Sequence, residues 1–387
     1  MAHRYIEHVR TLEEAVRFLS RAELVAIDTE FHRERSYFAK LALVQIAADD
    51  EVFLIDPLRV DLAPLAEVFE SDAEAVFHAA NQDLEILNRK VGTVPNKFFD
   101  TQIASGFLGY STPSLGSLVE QFLGIELDKS DRLSDWLVRP LEENQLKYAA
   151  QDVLYLVDLR DAIVDAVVNL DRLDWLVEEL GDYISQDFSG MMEPNRAWQK
   201  IREIRGLKGR SKQVAIAVAA WRETRAIEED RPPRFILADL AIATIAQNLP
   251  KRVSELKALR GVDSRSLLNG ADIEIISVVA KALEAQGLSD EEMSMPDPIE
   301  LPGGAAVFLN TWLTSRAKQL KIDANLLGSR SDIIELFGSV PQGRLSKGWR
   351  KLVVGDYVDR LMKGEIALAL GANGEIEMVE NSGEVIH

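Results

Sequence analysis

The chain has 387 residues, 47% of them apolar and 28% charged, the make-up of an ordinary soluble globular protein with room for two or three domains. With no cysteine, a disulfide framework, Cys-ligated zinc and a thiol nucleophile are all excluded. The net charge of −19 argues against a nucleic-acid partner only until its distribution is read: residues 195–285 hold 17 Lys and Arg against 11 Asp and Glu, whereas the remainder holds 27 against 52.

The opening Met-Ala-His-Arg-Tyr-Ile-Glu-His lacks the apolar core of an export signal, and no run of eighteen apolar residues follows, so a cytoplasmic location without a membrane span is expected. Residues 23–31, 41–48 and 51–57 are short, rich in Val, Ile and Leu, and predict three strands. The last two are joined by a tight Asp49-Asp50 turn, which demands antiparallel neighbours. Residues 61–70 predict a helix, 75–79 a strand and 82–91 a helix, with further helices near 100–108, 115–123 and 142–168. Strands that meander first and alternate with helices later imply an α/β domain over 1–185, a mixed sheet flanked by helices.

Residues 195–288 predict an all-helical domain with turns at Arg231-Pro232-Pro233 and Asn248-Leu249-Pro250. The segment 289–304, with Met295-Pro296-Asp297-Pro298 and Pro302-Gly303-Gly304, has the composition of a linker. A third, helical domain is expected over 305–371, and an acidic, aperiodic, mobile tail over 372–387. Trp221, Arg225, Ala226 and Pro250 recur as Trp312, Arg316, Ala317 and Pro341 at one common offset, so the two helical domains form a degenerate repeat.

Candidate chemistry lies in the first domain. Asp28 and Glu30 end an apolar run, Asp83 starts a predicted helix, and Tyr148 and Asp152 stand four apart on another. Asp-x-Glu recurs elsewhere in this acidic chain, so each piece is weak alone; order and setting raise the signal. Residues two apart on a strand share a face, and residues four apart on a helix share another, so all five can converge at a strand end. Oxygen-only ligation selects hard divalent cations, Mg²⁺ or Mn²⁺, and a pair of them suits phosphodiester hydrolysis, with Tyr148 orienting the water. Lys129 and Arg132 are candidate phosphate contacts, Phe31 and Trp136 candidate base-stacking surfaces, and Lys208, Arg210 and Lys212 a candidate grip on RNA backbone.

Asp28-Thr-Glu-Phe, Asp83 after His78-Ala-Ala, and Tyr148-Ala-Ala-Gln-Asp152 resemble the three exonuclease motifs of the tyrosine-bearing branch of the DEDD superfamily. The run from Asp28 to Gln45, and Asp128-Lys-Ser-Asp-Arg-Leu-Ser-Asp-Trp-Leu-Val-Arg-Pro-Leu, are similar to ribonuclease D. Residues 210–285 resemble an HRDC module, the helical domain shared by ribonuclease D and RecQ-type helicases, and 305–370 resemble a more divergent second copy. The resemblance implies an RNase H-like fold and two divalent metal ions on Asp28, Glu30, Asp83 and Asp152, with Tyr148 positioning the nucleophile. It also implies 3′→5′ release of single nucleotides from RNA and a role in trimming tRNA precursors; separately, a monomer is favoured. The other readings are a DNA-directed 3′→5′ exonuclease and a non-catalytic RNA-binding protein; a P-loop helicase is excluded by the absence of its phosphate loop.

Overall fold

The computed structural model describes residues 3–128, 134–285, 303–337, 343–372 and 374–381. Two compact units emerge: residues 1–30, 41–188 and 299–387 form one, and residues 31–40 with 189–298 form the other.

The first unit is built on a sheet of six strands: β1 (Arg4–Ile6), β2 (Leu24–His32), β3 (Lys40–Ala48), β4 (Glu51–Ile55), β5 (Glu74–Phe77) and β6 (Lys97–Asp100). Their spatial order is β1-β4-β3-β2-β5-β6. β3 and β4 are antiparallel across the expected tight turn, while β1 with β4, β2 with β5 and β5 with β6 run parallel. Apart from their first residues, β3 and β4 are buried throughout rather than in alternation, which requires cover on both faces of the sheet. Helices supply it: α1 (Val9–Leu19), α2 (Ala66–Phe69), α3 (Asn81–Val91), α4 (Thr101–Gly106), α5 (Leu115–Leu123), α6 (Glu143–Leu154), α7 (Leu156–Val168) and α8 (Leu173–Ile184).

The predicted strands and most helices match within a few residues. The strands β1 and β6 and the helix α8 were not expected. The single helix foreseen over 142–168 is two, because Tyr155 leaves helical geometry at φ −103°, ψ 3°.

Helical residues beyond 303 pack on this same unit. The long α14 (Gly303–Leu320) ends against Arg172, whose guanidinium donates to the carbonyls of Leu320, Lys321 and Phe107. Trp349 is buried, stacks on Trp175 at 5.5 Å and tilts against Phe107 at 5.1 Å. Beside it the Arg350 guanidinium donates to Glu179 at 2.7 Å, and the Trp349 N–H to Glu178 at 3.1 Å. Gly109, at φ +90°, lets this surface close: a Cβ there would stand 3.2 Å from the Lys321 carbonyl oxygen. Within the stretch expected to be an aperiodic tail, β8 (Ile376–Glu380) pairs antiparallel with β7 (Ile366–Leu370). Most of the expected linker, Pro341 of the repeat and residues 382–387 lie outside the described residues.

The second unit is helical: α9 (Gly209–Glu228), α10 (Pro233–Ile236), α11 (Asp239–Asn248), α12 (Val253–Lys257) and α13 (Ala271–Glu284). Its core joins Trp198, Val214, Val218, Ile242, Ile245 and Ile275. The expected turns fall at 229–232 and 249–250, the latter with Leu249 at φ +49°. The loop over 33–39 belongs here, because the Tyr37 hydroxyl donates to Glu223 at 2.6 Å and the Phe38 N–H to Asp230 at 3.0 Å. Lys212 corrects one expectation: it is buried, donates to the Ile204 carbonyl and lies 4.0 Å from the Trp198 ring centroid, so it braces the core instead of meeting RNA.

Candidate active site

β2 and β5 pair in parallel up to Ala26 and Val76. Beyond that pair β2 runs on past the end of β5 and the turn 78–80, at the strand carboxyl ends where α/β sheets bind ligands. Asp28 and Glu30 project there from one face of β2. Asp152 arrives from α6, and ligand oxygens of Asp28, Glu30 and Asp152 all lie within 4.8 Å of one another. Tyr148, one helical turn before Asp152, is half-buried on the same helix. The crowding also brings in Asp83, which is buried in the first turn of α3, where a helix N-terminus favours a carboxylate.

Asp83 is fastened in place beside the trio of oxygens. The Thr29 hydroxyl donates to its Oδ1. The turn that delivers α3 is fastened too: Asp100 accepts from the N–H groups of Ala79 and Ala80, at 3.1 and 2.8 Å, while capping α4 through Gln102 and Ile103. This grip holds Ala79 at φ +60°, a left-handed conformation costly for a residue with a Cβ.

Electrostatics define the site's chemistry. Burial, then the charges of Asp83, Asp152 and Glu30, push the Asp28 carboxyl well above its ordinary range. Burial, then Asp152 and Asp83, push Glu30 up to about 8. Asp83 rises to about 6, chiefly through burial, against the opposing hydrogen bond from Thr29. Carboxylates this close repel one another when all are ionised, and a divalent cation removes that penalty. Hard oxygen donors without sulfur or imidazole among the three clustered ligands suit Mg²⁺ or Mn²⁺. The donor set therefore fits a divalent metal.

The structure separates the proposed substrate contacts. Phe31, next along β2, is half-buried. Trp136 is only 3% exposed and its ring centroid lies 6.1 Å from that of Tyr148, so it is not an open stacking surface. Lys129 and Arg132 lie outside the described residues. Sequence reasoning misses Thr29 and Asp100; Thr29 is legible only as the middle of Asp-Thr-Glu.

A family model described as a 3′–5′ exonuclease matches residues 3–167, and an HRDC domain matches 211–269. Fold, acidic site and these matches define the class: a 3′–5′ exonuclease carrying an HRDC domain. The chain is 35% identical to ribonuclease D of Jannaschia sp. over 96% of its own length and 99% of that protein, and 36% identical to ribonuclease D of Sphingobium indicum over 97% and 98%. Its fold matches the crystal structure of Escherichia coli RNase D with a TM-score of 0.82 at 28% identity, covering 94% of this chain and 99% of that one. The catalytic core of RRP6 from Trypanosoma brucei matches with a TM-score of 0.56 at 27% identity, over 73% and 80% of the two chains. The chain belongs to the ribonuclease D family and is a 3′–5′ exoribonuclease, a phosphodiester hydrolase. No helix among the described residues is long and apolar enough to cross a membrane.

Proposed function

We propose that this enzyme shortens RNA from its 3′ end, releasing nucleoside 5′-monophosphates, with two divalent cations, Mg²⁺ or Mn²⁺, held by Asp28, Glu30, Asp83 and Asp152. The observation that carries this reading is the convergence of three carboxylates within 4.8 Å, with Asp83 near enough to raise the pKa of two of them. Bound divalent cations supply Lewis acidity, easing deprotonation of the attacking water and offsetting charge on the departing O3′. The chain supplies the rest. Asp28 and Glu30 hold their oxygens on one strand face, Asp152 closes the cluster from α6, and Thr29 with the α3 N-terminus keeps Asp83 in place. Tyr148 hydrogen-bonds the attacking water and aligns it with the terminal phosphodiester.

Precursors of tRNA with single-stranded 3′ extensions are the proposed substrates. Membership of the ribonuclease D family supports this, as does the description of the E. coli relative as an exoribonuclease involved in structured RNA processing. We further assign residues 305–371 as a divergent HRDC copy, on the shared spacing of Trp221, Arg225 and Ala226 with Trp312, Arg316 and Ala317. The test is a trimming assay on a structured RNA with a 3′ single-stranded tail, beside its DNA counterpart, with Mg²⁺ or Mn²⁺ titrated in. Mononucleotides released stepwise from the RNA 3′ end, dependent on cation and faster than from DNA, are expected. Cation-independent release would overturn the metal reading, and equal DNA trimming the substrate reading.

A further inference from the structure

We propose that Trp136 is the positioning residue for Tyr148, and that an Arg139–Asp56 clamp fixes Trp136 for that task; this rests on the reading of Tyr148 as the residue that aligns water. The two rings face one another at 6.1 Å between centroids and 41° between planes, within the range of attractive aromatic pairs. Tyr148 stands on α6, but Trp136 stands on a connecting segment with neither helix nor strand to hold it. A wall made from a loop is useful only if the loop cannot move, since small misplacement of a catalytic group costs orders of magnitude in rate.

Arg139 supplies the rigidity. Its Nη1 donates to the carbonyls of Trp136 and Val138 at 2.6 and 2.9 Å, tying the segment to itself. Its Nε and Nη2 fork onto Asp56 at 2.7 and 2.9 Å, and Nη2 also reaches the Ala42 carbonyl of β3 at 2.6 Å. Asp56, just past the end of β4, is wholly buried and accepts further bonds from the Tyr5 hydroxyl at 2.6 Å and the Leu58 N–H at 2.9 Å. Trp136 is thereby bolted to strands of the sheet whose neighbouring strand carries Asp28 and Glu30. The far end of the stretch is secured as well, because Glu142 and Gln145 form a reciprocal capping box at the start of α6. Wall and tyrosine are thus referenced to one sheet. The Trp136 indole N–H finds no partner among the described residues, so the ring's contribution is its face and volume.

The test is a double-mutant cycle on RNA trimming, with kcat and KM read at saturating Mg²⁺. Trp136→Ala is expected to lower kcat about 10- to 100-fold with KM within about threefold, and Trp136→Phe, which keeps a ring, to stay within about fivefold of wild type. In a Tyr148→Phe background the Trp136→Ala loss should shrink to less than about twofold, because there is no hydroxyl left to misplace. Arg139→Lys, which keeps the charge but not the fork, should show a smaller loss with the same dependence on Tyr148. Equal Trp136→Ala losses in both backgrounds, or a loss mainly in KM, would overturn the proposal. Tyr148→Phe alone reports on the underlying reading: wild-type turnover there removes Tyr148 from the chemistry and the proposal with it. If Trp136→Ala fails to fold by circular dichroism, Trp136→Leu carries the same cycle and is judged by the same outcomes.

Discussion

The hydroxyl of Thr29 donates to the carboxylate of Asp83, so the middle residue of the Asp-Thr-Glu run holds the acidic residue of a helix 54 positions away. Alternation along β2 turns Thr29 away from Asp28 and Glu30, and its hydroxyl there holds one oxygen of Asp83 in place. Thr29→Val keeps the shape and removes the bond. Divalent-cation affinity near pH 7 should fall about tenfold, the equivalent of one lost hydrogen bond to a charged group. Thr29→Ser should retain it. Calorimetric titration of Mn²⁺ measures both, and unchanged affinity in Thr29→Val would detach Thr29 from the site.

Asp28→Asn should lose at least about a thousandfold in turnover, since several kcal/mol of transition-state stabilisation rest on that carboxylate. In the metal-free protein the same change removes a buried carboxyl whose ionisation Asp83, Asp152 and Glu30 all oppose. Melting in chelator at pH 8 should therefore be no lower than wild type. Wild-type-like trimming by Asp28→Asn would remove the acidic cluster from catalysis.

Glu30 titrates near 8 in the folded chain, against an ordinary value of 4.5. Between those values the folded state binds more protons than the unfolded one, so stability from this group is complete below about 4.5 and lost as pH rises through 8. Asp28, raised in the same direction, adds to the trend. Metal-free protein should therefore lose stability from pH 5.5 to 8.5 as far as this cluster is concerned. Mg²⁺ or Mn²⁺ should raise the melting temperature more at pH 8 than at pH 5.5, where protons occupy the site. An equal rise at both values would contradict the electrostatic account.

Trp349 seals the C-terminal helices onto the exonuclease unit, stacked on Trp175 and buried to 1% exposure. Trp349→Ala should cost about 3–5 kcal/mol in denaturant unfolding. Gly348→Ala should also undo this packing, because Gly348 sits at φ +55° and a Cβ there would overlap the Glu178 carboxylate. Removal of residues 299–387 should act as a stability defect of the exonuclease unit rather than as loss of a separable module. A truncated chain melting like the full one would show the docking to be dispensable.

In the second unit, Lys208 and Arg210 are exposed whereas Lys212 is buried. If the basic segment grips RNA, replacing Lys208 and Arg210 by Ala should weaken binding and reduce the slope of log affinity against log salt by about 0.7 for each phosphate no longer neutralised. Lys212→Met should instead lower the melting temperature and leave the slope unchanged. An unaltered slope in the double variant would take these two residues off the RNA path.

Local pattern carried much of this protein. Alternation and apolar runs located β2 to β5 within a few residues, and the spacings Asp28–Glu30 and Tyr148–Asp152 put each pair on one face. Those signals are legible because strand and helix periodicity are properties of neighbouring residues. β1 and β6 escaped; β1, at three residues, is too short to show a period.

What the sequence by itself determined is the kind of chemistry: acidic oxygens in order, a tyrosine one turn from the last, no cysteine, and a basic helical segment behind. What only the tertiary structure decided is how those pieces are held. The Arg139–Asp56 fork, the Thr29–Asp83 bond and the Trp349–Trp175 stack join residues 83, 54 and 174 positions apart. Each depends on where separate elements meet in the folded chain, and no local periodicity records that. The same reason turned Lys212 from an RNA contact into a core brace and Trp136 from a stacking platform into a wall behind Tyr148. Side-chain chemistry is written along the chain, whereas burial and partner are set by packing.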